Sequence, residues 1–237
     1  MLVITGAGIS AESGIPTFRG PGGYWRNLDP TKLATEAAFR ADPKLVWEWY
    51  RERRQRIRQA RPNAAHVAVV QLAAQARDFL LLTQNVDDLH QRAEWQGQTI
   101  SPDKIVQIHG DIFVARCVRC DFSRRESERE PDSAATVVPT CPDCGSRLRP
   151  GVVWFGETLP LPAVRRVEEF LVRGECDLTL VIGTTALFGY IVQWALAAKG
   201  RRGRLIEINL EDSPISAFAT ETLREPAALA LPRLVAR

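Results

Sequence analysis

Leu2-Val3-Ile4-Thr5-Gly6-Ala7-Gly8-Ile9-Ser10-Ala11 opens the chain with a short apolar run that ends in two closely spaced glycines. A run of this length, apolar at consecutive positions, reads as a parallel strand buried on both faces. The two glycines followed by a third small residue fit the turn that brings backbone N–H groups to a dinucleotide pyrophosphate at a helix N-terminus. A Gly-rich turn after a strand can also be only a turn. No acidic residue ends a second strand roughly 20 residues on, as a nicotinamide dehydrogenase requires. The chain runs instead into Gly14-Ile15-Pro16-Thr17-Phe18-Arg19-Gly20, which has no strand character. Dinucleotide binding is expected, and hydride transfer is not.

Four more apolar runs repeat the pattern, at Phe79 to Thr83, Ile105 to Ile108, Leu178 to Ile182 and Leu205 to Ile208. Helical patterns lie between them. Residues 44 to 60 place Leu45, Trp49, Arg53 and Ile57 at four-residue spacing, and residues 63 to 76 begin at Asn63, a capping residue after Pro62. Strands alternating with helices predict an α/β fold with a parallel sheet covered on both faces. Two stretches leave that rhythm. Residues 20 to 43 are rich in Gly, Pro and polar side chains, and residues 114 to 150 hold four of the five cysteines and a charged run from Arg124 to Asp132.

The 237 residues, 45% hydrophobic and 25% charged, suffice for a large core and exclude a disordered or fibrous chain. A net charge of +3 is too small for the basic field of a dedicated duplex-DNA binder. The basic residues are skewed, 27 arginines against 4 lysines, with Arg51, Arg53, Arg54, Arg56, Arg58 and Arg61 in one stretch. Most of these are expected on solvated helix surface, although a guanidinium is also suited to gripping a carboxylate. The N-terminus lacks the basic flank and cleavage site of a secretory signal, so a cytoplasmic location is expected. Residues 178 to 198 are uncharged and long enough to imitate a membrane span. The central Gly183-Thr184-Thr185, with Gly189 and Gln193 beyond it, reads better as the bend between a buried strand and a helix.

Cys117-x-x-Cys120 and Cys141-x-x-Cys144, separated by twenty residues, have the spacing of a four-thiolate zinc site. A closed shell of four thiolates leaves no position for water or substrate, so this Zn2+ is expected to be structural. Two disulfides are the competing reading, disfavoured in a reducing compartment. Cys176, beside a strand, is expected to be a small buried residue.

Polar residues gather after the other strands: Gln84, Asn85, Asp87, Asp88 and His90, then His109-Gly110, then Gly183-Thr184-Thr185, then Asn209. In an open parallel sheet the carboxyl edge is where ligands bind, so these positions should converge with the Gly6 loop on one crevice. His109 is the best candidate base there, with Gly110 leaving room for substrate. A structural histidine bonded to backbone is the plain alternative.

The combination resembles the sirtuin family of NAD-dependent protein lysine deacylases over essentially the whole chain. The resemblance is carried by Gly6-Ala7-Gly8-Ile9-Ser10, Gly14 to Gly20, Thr83-Gln84-Asn85-Val86-Asp87-Asp88-Leu89-His90, His109-Gly110, the four cysteines, Val152-Val153-Trp154-Phe155-Gly156-Glu157 and Ile208-Asn209. It implies a discontinuous Rossmann-like NAD-binding domain (1–27, 76–113 and 151–237), a helical module (28–75) and a structural zinc module (114–150). It also implies that NAD+ lies against Gly6, Ala7, Gly8, Ser10, Glu12, Thr17, Phe18, Arg19, Trp25, Gln84, Asn85, Val86, Asp87, Gly183, Thr184, Thr185, Asn209, Leu210, Glu211 and Ala227. By the same resemblance His109 is the general base, Asn85 and Asp87 place the ribose and nicotinamide, and Val152, Val153, Trp154, Phe155 and Gly156 pair with the substrate backbone as an added strand. The products would be free lysine, nicotinamide and O-acyl-ADP-ribose. The chain departs from the family pattern in Gly183-Thr184-Thr185, usually Gly-Thr-Ser. Ala186-Leu187-Phe188-Gly189-Tyr190 follows where a valine and a proline are more common.

Tyr50 and Arg53 are spaced to share a helix face. In the sirtuin branch that favours acidic acyl groups a matching Tyr-x-x-Arg pair holds the acyl carboxylate, which implies succinyl and malonyl ahead of acetyl. The alternative for Arg53 is one more solvated arginine. Two other functions stand beside deacylation: protein mono-ADP-ribosyl transfer in the same pocket, and a non-catalytic zinc-ribbon module, which leaves the crevice residues unexplained. The expected partners are acylated lysine-containing proteins or peptides, without nucleic acid or membrane, and the expected state is a monomer.

Overall fold

The computed structural model describes residues 1–17, 29–126 and 137–236. Its frame is a six-stranded, all-parallel sheet in the order β3-β2-β1-β7-β8-β9. The strands are β1 (Leu2–Thr5), β2 (Leu80–Thr83), β3 (Ile105–Gln107), β7 (Leu178–Ile182), β8 (Arg204–Ile208) and β9 (Glu221–Leu223). Between β3 and β7 the chain forms a second, antiparallel sheet, order β5-β4-β6, from β4 (Gly110–Cys117), β5 (Ser123–Arg125) and β6 (Leu148–Val152). The helices in chain order are α1 (Pro30–Leu33), α2 (Glu36–Ala41), α3 (Pro43–Gln59), α4 (Ala64–Gln75), α5 (Leu89–Arg92), α6 (Leu161–Val172), α7 (Gly189–Lys199) and α8 (Ala227–Val235).

Successive side chains of a strand point to opposite faces, so an apolar strand can feed two cores at once. Val3, Leu81, Leu180 and Ile206 pack on one face with Ala65, Val69 and Leu72 of α4 and Leu231 of α8. Leu2, Ile4, Leu82, Val181 and Leu205 pack on the other with Phe170 of α6 and Ile191 and Ala195 of α7. The third core lies off the sheet. It joins Val46, Trp47, Trp49, Tyr50 and Ile57 of α3 to Phe113, Cys117, Cys141, Leu148 and Trp154 around the small sheet.

Residues 178–198 fold as the sequence reads, a buried strand, a bend and a helix. No helix among the described residues is long and apolar enough to cross a membrane. One arginine of α3 is an exception to the expected solvated surface. Arg54 is 1% exposed, and its guanidinium donates to the Ile112 carbonyl at 2.6 Å, to the Val114 carbonyl at 3.2 Å and to Glu126. A buried charge is tolerated only when it is paired and its donors are satisfied, and here those bonds tie α3 to β4.

Candidate active site

β1 lies between β2 and β7, so the connections leaving its two sides diverge there and open a crevice at the carboxyl edge. Two loops meet in it. The Gly6 N–H donates to the Ile182 carbonyl at 3.0 Å and the Gly8 N–H to the Gly183 carbonyl at 2.8 Å. A Cβ on Gly8 would lie 2.6 Å from the Gly183 Cα, and one on Gly183, whose φ is +59°, would lie 2.5 Å from the Ile9 nitrogen. The glycines therefore let two backbones mesh. The N–H groups of Gly6 and Gly8 are both bonded within the chain, so any N–H offered to a pyrophosphate would come from other residues of this turn.

Gln84 and Asn209 close the crevice from either side. Gln84 Nε2 donates to Thr184 Oγ1 at 2.9 Å, and Asn209 Nδ2 donates to the Thr184 carbonyl at 2.9 Å. Thr184, after β7, is thus the common partner of residues that follow β2 and β8, while Thr185, Leu210 and Glu211 are exposed at the rim and Ala227 is buried at the start of α8. Val86 is half-buried, its carbonyl accepting from the Ile112 N–H at 2.9 Å. Ala7 is half-buried in the first loop; Glu12 is exposed and Thr17 half-buried at its far end. Phe18, Arg19 and Trp25 lie outside the described residues.

The floor of the crevice is a polar network with little exposure. Ser10 Oγ donates to Asp87 Oδ2 at 3.1 Å and accepts from Asn85 Nδ2 at 3.2 Å. Asp87 also receives the Leu89 N–H at 3.1 Å, yet burial prevails and raises its pKa. Behind Ser10 stands His66, whose Nδ1 accepts the Asn63 N–H at 3.3 Å. That bond leaves the proton on Nε2, which faces Ser10 Oγ at 3.4 Å. Thr5 Oγ1 donates to Thr83 Oγ1 and lies 3.0 Å from Nε2 of His90. The His66 and His90 rings are 4.8 Å apart. Burial pushes the pKa of His66 down to about 4 and that of His90 well below its usual value, so both stay neutral.

His109 is half-buried at the mouth of the crevice, between β3 and β4. Its Nδ1 lies 3.0 Å from the Gln84 carbonyl oxygen, which can only accept, so Nδ1 carries the proton and Nε2 is the basic atom. Burial lowers its pKa against the opposing pull of the Gln84 bond. Gly110 does not make room for substrate: at φ +82°, a Cβ there would lie 2.2 Å from the Gly151 carbonyl oxygen. The glycine is needed because β4 and β6 cross closely just past His109.

Val152 to Gly156 run from the end of β6 beside the same mouth. The N–H groups of Val153, Trp154 and Phe155 are bonded within the chain, to the His109 carbonyl (2.9 Å), Glu157 Oε2 (2.9 Å) and the Ala34 carbonyl (2.9 Å). Glu157 is in turn held by Arg149, whose guanidinium also stacks 3.3 Å over Trp154, and Gly156 turns the chain at φ +85°. Trp154 Nε1 donates to Tyr50 Oη at 3.0 Å, which connects this segment to α3. Arg53 lies over the Trp49 ring at 4.8 Å and the Tyr50 ring at 5.8 Å, and burial lowers its pKa against the opposing pull of Tyr50 and Asp87. Burial holds Tyr50 neutral, its pKa pushed up to about 12. The expected pair is thus brought together beside the Val152 to Gly156 segment.

Cys117, Cys120, Cys141 and Cys144 place their sulfurs within 4.8 Å of one another. The Cys117–Cys144 and Cys120–Cys141 separations are 3.5 and 3.6 Å, far above a disulfide bond and close to the edge of about 3.8 Å set by a tetrahedron with zinc–sulfur bonds of about 2.3 Å. The cluster fits a structural zinc. Cys176 is buried at 5% exposure, as a small core residue.

Three residues of the site were not anticipated. His66 joins the floor from the first turn of α4, where its sequence position reads as helix core. Glu207, 0% exposed, accepts the Ser213 and Ser216 hydroxyls at 2.5 Å each and Arg224 at 3.0 Å, and so pins the segment after Asn209. An acidic residue inside the apolar run Leu205 to Ile208 was its signal. The third, Tyr190, places its hydroxyl 2.6 Å from Nε2 of His109.

Comparison with known proteins accords with this geometry. The model of the Sir2 family matches residues 6–188. A protein of Aquifex aeolicus (strain VF5) named NAD-dependent protein deacylase is 41% identical over 99% of this chain and 93% of its own. Among solved structures, a mutant Sir2 homologue in complex with 2′-O-acetyl ADP ribose is 40% identical, with a TM-score of 0.87, covering 99% of this chain and 90% of that one. A Sir2 homologue in complex with NAD is 39% identical, with a TM-score of 0.85, covering 99% of this chain and 87% of that one. With a family model matched across most of its length, the full-length relative and the shared architecture, this chain belongs to the Sir2 family.

Proposed function

We propose that this protein removes acyl groups from lysine side chains of proteins in a reaction that consumes NAD+ and one water, releasing nicotinamide, O-acyl-ADP-ribose and unmodified lysine. The observation that carries the proposal is the position of His109, its basic Nε2 at the mouth of a crevice whose floor is Ser10, Asn85 and Asp87. Bound NAD+ supplies an anomeric ribose carbon with nicotinamide as leaving group, which the acyl-lysine carbonyl oxygen attacks. Asn85 and Asp87 orient the ribose and nicotinamide from the floor. His109 takes a proton from the ribose 2′-hydroxyl at Nε2, keeping Nδ1–H on the Gln84 carbonyl. The meshed loops at Gly6–Gly8 and Gly183–Thr185, with Gln84 and Asn209 bonded to Thr184, support the assignment of residues 1–27, 76–113 and 151–237 to NAD+ binding.

The substrate segment narrows how a peptide is held. With the N–H groups of Val153 to Phe155 engaged internally, an added strand relies chiefly on carbonyls of this chain for its bonds. Residues 114–150 carry no reacting group in this reading; Cys117, Cys120, Cys141 and Cys144 hold zinc and thereby the sheet that aims Val152 to Gly156.

For the acyl group we propose preference for succinyl and malonyl over acetyl. Tyr50 Oη accepts from Trp154, which directs the hydroxyl proton toward another acceptor, and Arg53 lies beside the same ring. Hydroxyl and guanidinium together can satisfy a carboxylate that an acetyl pocket would leave unpaired. The test is a parallel assay of one peptide bearing acetyl-, succinyl- or malonyl-lysine with the wild type, His109→Ala and Arg53→Met. Succinyl and malonyl should turn over fastest, His109→Ala should cost about 10²- to 10⁴-fold, and Arg53→Met should erase the acidic preference. Preference for acetyl with no effect of Arg53→Met would refute the carboxylate clamp and leave a deacetylase.

A further inference from the structure

Both nitrogens of His109 are occupied by groups of the protein itself. Nδ1 donates to the Gln84 carbonyl, so only Nε2 can take a proton, and Nε2 is met at 2.6 Å by the Tyr190 hydroxyl. A phenol whose pKa burial pushes up to about 12 is protonated, and next to an unprotonated imidazole nitrogen it donates. Tyr190 thus stands where a ribose hydroxyl must stand if His109 is to act as base.

Tyr190 is half-buried at the edge of the packing, its ring 5.2 Å from that of Trp194. It is the second residue of α7, just after Gly189, where a side chain would meet open space. Its ring stacks on Phe188 at 5.5 Å and 11°, and Phe188 meets the His109 ring edge-on at 5.6 Å while 37% exposed. Two residues before Phe188, Ala186 adopts φ +47°, a left-handed conformation that costs a residue with a Cβ and recurs where a loop has two arrangements. Phe188 and Tyr190 therefore form one aromatic unit at the crevice rim, mounted on a strained loop.

We propose that Tyr190 is a positioning residue that stoppers the base: in the unliganded protein its hydroxyl holds Nε2 of His109, and binding of NAD+ with acyl-lysine displaces the Phe188–Tyr190 unit. The proposal rests on His109 being the base of the deacylation proposed above. Its proton balance is simple. The ribose hydroxyl loses its proton to Nε2, the imidazole becomes imidazolium, and Tyr190 keeps its own proton throughout.

Tyr190→Phe keeps the stacked ring and removes the hydroxyl. Without an internal competitor at Nε2, KM for NAD+ should fall about three- to tenfold while kcat does not rise, since one hydrogen bond no longer has to be exchanged. A structural role for Tyr190 would not lower KM. Nitrogen NMR of ligand-free His109 supplies an independent readout: Nε2 should report an accepted hydrogen bond in the wild type and lose it in Tyr190→Phe. In the wild type alone, ADP-ribose with an acyl-lysine peptide should change the Tyr190 ring signals. An unchanged or raised KM, a kcat loss of tenfold or more, a wild-type Nε2 without a hydrogen bond, or Tyr190 signals indifferent to ligand would each overturn the stopper. Full activity of His109→Ala would instead overturn the base assignment, leaving the NMR result to judge the contact itself.

Discussion

The crevice floor and the cysteine module are built by opposite means. The floor gathers Thr5, Ser10, His66, Thr83, Asn85, Asp87 and His90 from distant parts of the chain and fixes them by hydrogen bonds between groups kept mostly neutral by burial. The module gathers four thiols from two short turns, where one ion replaces a network. Each solution suits its place. A floor inside the parallel sheet has two apolar cores around it and needs only direction, whereas the β5-β4-β6 sheet packs on one core and leaves β5 wholly exposed, where a crosslink adds what packing does not supply. In the proposed reaction the two regions would contribute differently: the floor would orient the reacting groups, and the module would hold the segment that carries the peptide.

Chelation should strike hardest. A structural zinc contributes on the order of 10 kcal/mol to small zinc-finger folds, so its removal should unravel the small sheet. Because Cys117 and Cys141 share a core with Trp47, Trp49 and Trp154, tryptophan emission should shift and deacylation should stop, while much of the helical circular dichroism persists. Retained activity with metal-free thiols would show that the module is not held by an ion. Ser10→Ala should have a smaller effect confined to the floor. It deprives Asp87, Asn85 and His66 of their common partner, a loss of about 1–3 kcal/mol, or roughly 5- to 150-fold in kcat/KM, with zinc content unchanged. A change below twofold would mean that Ser10 does not organise the site.

The sequence made one of these regions plain and half of the other. Strands β1, β2, β3, β7 and β8 were legible because strands buried on both faces are continuous apolar runs, and their ends marked the crevice. β9 and β5 were not, because they are not apolar runs: Glu221 and Thr222 lie in one, and Ser123, Arg124 and Arg125 make up the other. β6 was obscured by Pro150 and Gly151, residues that usually break strands, and by Arg149, buried through its bonds to Glu157. Among site residues, those after strand ends were found by position alone. His66 and Tyr190 lie in the first turns of helices, and only the packing of α4 against the Gly6 loop and of α7 against His109 makes them neighbours of the site. Periodicity assigns a residue to a face, not to a partner.

The most direct measurement of the central claim is mass analysis of one succinyl-lysine peptide incubated with the protein and NAD+, with nicotinamide release measured alongside. The account predicts a peptide lighter by the succinyl group, one nicotinamide per acyl lost, and neither event in His109→Ala. A peptide that keeps its acyl group and gains the mass of ADP-ribose would contradict it, making the crevice an ADP-ribosyl-transfer site.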